Sequence, residues 1–128
     1  MALPANLNLL LVDDEKDFAL TVAQRLQLRG VCASVVFDGE SALASLQEKQ
    51  FDLVVLDVCL PGVSGLHILQ RIREERPSLP VVLLTGNTSA KDGMEGMKLG
   101  ASAYLTKPLE IQELLTLLTQ LCTGEGHE

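Results

Sequence analysis

Five side chains able to do chemistry stand at the ends of apolar runs. The run at 8–12 ends in Asp13 and Asp14, that at 53–56 in Asp57, that at 81–84 in Thr85, and that at 103–106 in Lys107-Pro108. If these runs are parallel strands of one sheet, all five side chains meet at its carboxyl edge, where open α/β sheets place their sites. Three anions held that close repel one another and need a cation. Oxygen ligands on the end of a rigid sheet suit Mg²⁺. The pattern describes a pocket that holds a hard metal beside one distinctive carboxylate.

Taken singly, each residue has a plainer reading. Asp13 and Asp14 suit the N-terminal cap of a following helix, where anions are stabilising. Asp57 suits the start of a turn, and Thr85 a strand-end hydroxyl. Lys107 suits a surface lysine with its stem on the sheet edge. Cys59 reads as a loop thiol and Tyr104 as a half-buried edge residue. His67 and His127 have no ligand or nucleophile partner in sequence. Joint placement, not any single residue, favours the carboxylate site.

The elements that must position these groups alternate along the chain. The near-continuous apolar run 8–12 is expected of a strand covered on both faces. Residues 16–29 have helical spacing, with Phe18, Val22, Ala23 and Leu26 on one face, and Gly30 stops the helix. Residues 31–37 are β-branched and strand-like. Asp38-Gly39 reads as a turn before a short helix over 41–50 that buries Ala42, Leu43 and Leu46. A third strand covers 51–57. Pro61, Gly62 and Gly65 punctuate a loop before a helix over 66–75, with Leu66, Leu69 and Ile72 inward. A fourth strand covers 81–84. The helix over 90–99 is weak, because Gly93 and Gly96 each cost about 1 kcal/mol relative to Ala, and it is expected to be mobile. Gly100 ends it. A fifth strand covers 101–106, and a Leu-rich helix covers 109–122. Leu114, Leu115, Leu117, Leu118 and Leu121 form a wide stripe on that helix, mostly core, with an edge left for a partner.

Strands alternating with helices predict a doubly wound α/β fold with a five-stranded parallel sheet. The first, third and fourth strands are the most apolar and should be central. The order is then 2-1-3-4-5, a flavodoxin-like arrangement with its switch point beside Asp13, Asp14 and Asp57.

The chain has 128 residues, enough for one domain with its own core. Residues 1–123 are expected to form that domain, with 124–128 a polar tail or the start of a linker. A net charge of −7 argues against direct nucleic-acid binding. Arg71, Arg73 and Arg76 cluster, but Glu74 and Glu75 interrupt them, as on a solvated helix face. There is no membrane-length apolar run, and 7–12 is too short for a signal segment, so a cytoplasmic location is expected. Cys32, Cys59 and Cys122 show no paired or metal-binding spacing and are expected to be reduced.

Four segments together resemble the receiver domains of two-component response regulators: LLLVDDE at 9–15, LVVLDVCLPGVSG at 53–65, VVLLTG at 81–86 and GASAYLTKP at 100–108. The resemblance covers nearly the whole chain. It implies that Asp57 is the phosphoacceptor for a partner histidine kinase or phosphotransfer protein. It implies Mg²⁺ bound by Asp14, Asp57 and the backbone carbonyl of Cys59, with Asp13 acting through water. Thr85 would hydrogen-bond the phosphoryl group and Lys107 would pair with it. Thr85 and Tyr104 would form the switch, with Tyr104 moving inward on activation. The Lys107-Pro108 bond would be cis. The signal would leave by the face of the fourth helix, fifth strand and last helix, toward an output domain, a protein target or a second copy. Such a domain assists its own phosphorylation and dephosphorylation without being an enzyme proper.

This sequence also departs from the family. Gly86 follows Thr85 where Ala is frequent. Cys59 and Asn87 occupy positions that tune the phosphoryl lifetime. Ser102 stands where a large DNA-binding subfamily has Asp, and the last helix lacks the matching Arg, which counts against that subfamily's salt-bridged dimer. Other functions fit less well. An Asp-nucleophile phosphatase wants a second acid where Cys59 stands. A flavodoxin-type cofactor binder wants a hydroxyl- and Gly-rich loop where Asp13-Asp14-Glu15 would repel a phosphate. A degenerate receiver used only for docking is the remaining alternative, though every functional position is filled.

Overall fold

A computed structural model describes residue 3, residues 6–86 and residues 90–123. Asn87, His127 and the 124–128 tail lie outside the described residues. Strand and helix alternate as expected: β1 (Asn8–Val12), α1 (Lys16–Gln27), β2 (Cys32–Val36), α2 (Gly39–Glu48), β3 (Leu53–Asp57), α3 (Gly65–Glu75), β4 (Val81–Thr85), α4 (Ala90–Lys98), β5 (Ala103–Thr106) and α5 (Ile111–Thr123). All neighbouring strands are parallel, in the order β2-β1-β3-β4-β5.

Burial explains the order. The residues of β3 and β4 are buried throughout, and β1 is buried from Leu9 on, whereas β5 is half-exposed and β2 half-exposed to exposed. Successive strand residues point to opposite faces. Leu9, Leu11, Val55, Val82 and Leu84 therefore pack with α1 and α5, through Val22, Leu26, Leu114 and Leu118. Leu10, Val12, Val54, Leu56 and Leu83 pack with α2 and α3, through Ala42, Leu46, Ile68, Leu69 and Ile72. Of the α5 leucines, Leu114 and Leu118 are fully buried and Leu115, Leu117 and Leu121 only partly, so the stripe has the expected edge.

Several local expectations change. Asp38 is the N-cap of α2, accepting from the Ser41 N–H at 2.7 Å, and Gly39 is the first helical residue, buried against Ile68. That contact holds the Asp38 carboxyl below its usual pKa. On α3, Leu69 and Ile72 are buried as expected and Leu66 packs half-buried against the same core, while Ile68 joins the buried face as well. Arg73 is no solvated charge: its Nε donates to the Gly100 carbonyl at 2.8 Å, tying α3 to the end of α4. Gly30 and Gly100 have φ of +86° and +105°, the left-handed region that ends a helix at glycine. The Lys107-Pro108 bond is cis. The three cysteines are free, and none is fully buried.

The glycines of α4 do more than weaken it. A Cβ on Gly96 would strike Leu83, and a Cβ on Gly93 would come within 2.5 Å of the Tyr104 ring. Their absence of side chain lets α4 lie close over β4 and β5, which offsets the helix-propensity cost.

Candidate functional site

Parallel register brings the strand ends level. Val12 lies opposite Leu56, Asp57 opposite Leu84, and Thr85 opposite Thr106. The residues that end or follow β1, β3, β4 and β5 are therefore neighbours. Carboxylate oxygens of Asp13, Asp14 and Asp57 lie within 4.8 Å of one another. Asp13 and Asp57 are buried and Asp14 is exposed. Neither Asp13 nor Asp14 caps α1. The N-cap is Glu15, with no side-chain cap bond, and Asp13 Oδ1 instead accepts from the Glu15 N–H at 2.9 Å.

Asp57 is fixed from two sides. Its Oδ1 accepts from the Cys59 N–H at 3.0 Å. The N–H of Gly65, the first residue of α3, donates to the Val58 carbonyl at 2.7 Å. A Cβ on Gly65 would overlap the Asp57 carbonyl oxygen, so the start of α3 closes on the end of β3 only because residue 65 is glycine. Burial, then the Asp13 charge, pushes the Asp57 carboxyl above its usual pKa, against the opposing pull of the Cys59 N–H and Lys107.

Lys107 supplies the cation. Its Nζ is 2.9 Å from Asp13 Oδ2, 3.1 Å from Asp57 Oδ2 and 2.6 Å from Glu15 Oε1, and it lies 4.7 Å from the Phe18 ring centroid. Burial alone would lower its pKa. The contacts with Glu15 and Asp13 and the charges of Asp57 and Asp13 outweigh that and hold it above the usual lysine value. Glu15 and Phe18 were not foreseen as site residues. The signal for Glu15 was its place directly after two strand-end acids; Phe18 read only as a core residue.

Thr85 completes the group. It is fully buried, its carbonyl accepts from the Lys107 N–H at 2.8 Å, and its Oγ1 has no hydrogen-bond partner among the described residues. An unsatisfied buried hydroxyl costs about 1–3 kcal/mol and marks a place where a further group can bond. Tyr104 stands outside the carboxylate cluster. It sits on β5 opposite Leu83, half-buried, with its ring against Gly93 of α4. His67 is exposed on α3 and joins no site.

The fold and this strand-edge cluster coincide with one family. A family model of the response regulator receiver domain matches residues 9–119. The chain belongs to that family. The probable transcriptional regulatory protein TcrX of Mycobacterium tuberculosis is 40% identical to this receiver domain over 117 residues, which cover 91% of this chain and 50% of that protein. The receiver domain of the Francisella response regulator 1452 matches it with a TM-score of 0.87 at 31% identity, covering 93% of this chain and 98% of that one. The receiver domain of NtrX from Brucella abortus matches with a TM-score of 0.86 at 32% identity, covering 90% and 98%. The chain spans about half the length of the curated relatives it matches. Receiver domains belong to two-component systems and are signalling domains rather than enzymes in the usual sense. No helix among the described residues is long and apolar enough to cross a membrane.

Proposed function

We propose that this receiver domain accepts a phosphoryl group on Asp57 from a phosphohistidine of a partner kinase or phosphotransfer protein. An Asp57 carboxylate oxygen forms the new O–P bond as the donor's P–N bond breaks, and the released imidazole takes a proton from water. The observation that supports this reading is the cluster of Asp57 with buried Asp13 and exposed Asp14, beside a lysine and a threonine hydroxyl without a partner among the described residues.

The donor set is all oxygen and anionic, which fits Mg²⁺. Asp14, Asp57 and the Cys59 carbonyl would hold it, with Asp13 acting through water. Bound there, Mg²⁺ supplies positive charge against the phosphoryl oxygens. Positioning and charge neutralisation carry most of the catalysis in phosphoryl transfer. Asp13, Asp14, Asp57 and Lys107 sum to a formal −2, and Mg²⁺ would balance them. The structure adds Glu15, so the local sum is −3 before metal and −1 after it. Phosphorylation replaces the single Asp57 charge with about −2. Without metal an incoming dianion meets net repulsion.

Lys107 would pair with the phosphoryl group and Thr85 would donate its hydroxyl to it. Drawing Thr85 toward the phosphoryl group would free space for Tyr104, and the α4-β5-α5 face would rearrange. That face would carry the signal to an output domain, a protein target or a second copy. A cytoplasmic site of action follows from a kinase donor.

The test is phosphoryl uptake from a cognate kinase or acetyl phosphate, followed by intact mass. Wild type with Mg²⁺ gains one phosphoryl group; Asp57→Asn, or wild type in EDTA, gains none. Undiminished labelling of Asp57→Asn overturns the assignment of the acceptor, and undiminished labelling in EDTA overturns the metal dependence.

A further inference from the structure

An ammonium group has three N–H donors. Lys107 Nζ donates to Glu15 Oε1 at 2.6 Å and to Asp57 Oδ2 at 3.1 Å, and pairs by charge with Asp13 Oδ2 at 2.9 Å outside hydrogen-bond geometry; the shortest contact is to Glu15. Glu15 is not among the acids whose oxygens cluster within 4.8 Å. The three also differ in exposure: the Glu15 side chain is 62% exposed, against 0% for Asp13 and 6% for Asp57. A buried carboxylate deserted by its cation is left uncompensated, at high cost. An exposed one is rehydrated, and loses only the small worth of a surface ion pair. Glu15 is therefore the contact Lys107 gives up most cheaply. The Glu15 carboxylate also has no capping bond to α1, so the helix start does not explain its position.

We propose that Glu15 is a positioning residue that competes with the phosphoryl group for Lys107. It draws the ammonium toward the N-terminus of α1 when Asp57 is unmodified, and its contact is the one surrendered when an anion on Asp57 claims an N–H. Its presence weakens the binding of a phosphoryl group or its mimic. The proposal rests on Asp57 being the phosphoacceptor.

The test is calorimetric titration of the wild-type domain and its variants with beryllofluoride in excess Mg²⁺. Glu15→Gln removes the charge and keeps the shape. Glu15→Asp keeps the charge and shortens the reach. Both are expected to bind the mimic about two- to fivefold tighter than wild type, the range of an exposed ion pair. If Glu15→Gln binds no tighter than wild type, the competition does not exist. If Glu15→Gln tightens binding and Glu15→Asp matches wild type, Glu15 acts through its field and not through Lys107, and the proposal falls. Asp57→Asn separates the two levels. If it binds the mimic as wild type does, the acceptor assignment fails. If it does not bind and both Glu15 variants match wild type, only the present inference fails. Circular dichroism checks that the exposed substitutions leave the fold intact.

Discussion

The two sides of the sheet's carboxyl edge are built differently. At the ends of β1 and β3, Asp13 and Asp57 are held by backbone N–H groups and by Lys107, with Gly65 pressed against the Asp57 backbone. At β4 and β5, the Thr85 hydroxyl has no partner among the described residues, and Tyr104 rests half-buried on a glycine notch in α4. The first region meets any change with backbone. The second meets it with a hydroxyl and an aromatic ring that can rotate. A rigid carboxylate beside an adjustable pair is an arrangement in which a local charge change can be converted into movement.

Four substitutions would break or sharpen this contrast. The largest effect is expected from Gly65→Ala, whose new methyl meets the Asp57 carbonyl oxygen. Overpacking against backbone should destabilise the domain by about 3 kcal/mol in urea unfolding and cut phosphoryl uptake by displacing Asp57. A loss well below 1 kcal/mol would mean that the first region is softer than its geometry implies.

Asp57→Asn should stabilise the metal-free domain at neutral pH. The folded state binds the Asp57 proton more tightly than the unfolded state does, since burial raises the folded pKa above 3.8. Protonation-linked stability is therefore present below 3.8 and lost as pH rises through the folded value. The gap between variant and wild type should open across that window and stay open above it; thermal melts from pH 3 to pH 7 without metal (roughly the carboxylate range) would read it. A constant gap would mean that desolvation is not the cause.

Thr85→Val removes the hydroxyl that has no partner among the described residues, at nearly constant shape. It should raise stability by about 1 kcal/mol while abolishing the response of Tyr104 to beryllofluoride and Mg²⁺. Tyr104 is the only tyrosine and there is no tryptophan, so intrinsic emission reports on this ring alone. Destabilisation would mean that the hydroxyl is satisfied in solution.

The smallest stability change is expected from Gly93→Ala. The helix gains about 1 kcal/mol in propensity, against the contact with the Tyr104 ring. The net should lie near zero, yet Tyr104 emission should shift without any phosphoryl mimic. A change as large as that of Gly65→Ala, with unaltered emission, would erase the distinction between the two regions.

Much of the architecture was legible. The apolar runs of β1, β3 and β4 end in Asp13-Asp14, Asp57 and Thr85 because a strand buried on both faces has no place for charge until it leaves the sheet. Alternation of strand and helix then dictated parallel pairing, and the difference between fully and partly apolar runs dictated which strands took the edges. Helix starts were less legible. Asp38-Gly39 looked like a turn, and Gly65 like loop punctuation, because glycine signals freedom in a sequence while close approach is visible only against a neighbour.

What the residue order determined by itself was the set of elements, their order in the sheet and the strand-end positions of the acids, hydroxyl and lysine. All of these follow from local periodicity and from the exclusion of charge from a buried strand. The tertiary structure decided the rest: that Asp13 bonds the Glu15 backbone rather than capping a helix, that Lys107 is shared among three carboxylates, that the Thr85 hydroxyl has no partner among the described residues, and that Gly93 and Gly96 bring α4 down onto Tyr104 and Leu83. Apart from the local Asp13–Glu15 bond, these arrangements bring together residues of different elements. Their distances are set by how two layers of helix pack on one sheet, and no spacing along the polypeptide encodes them.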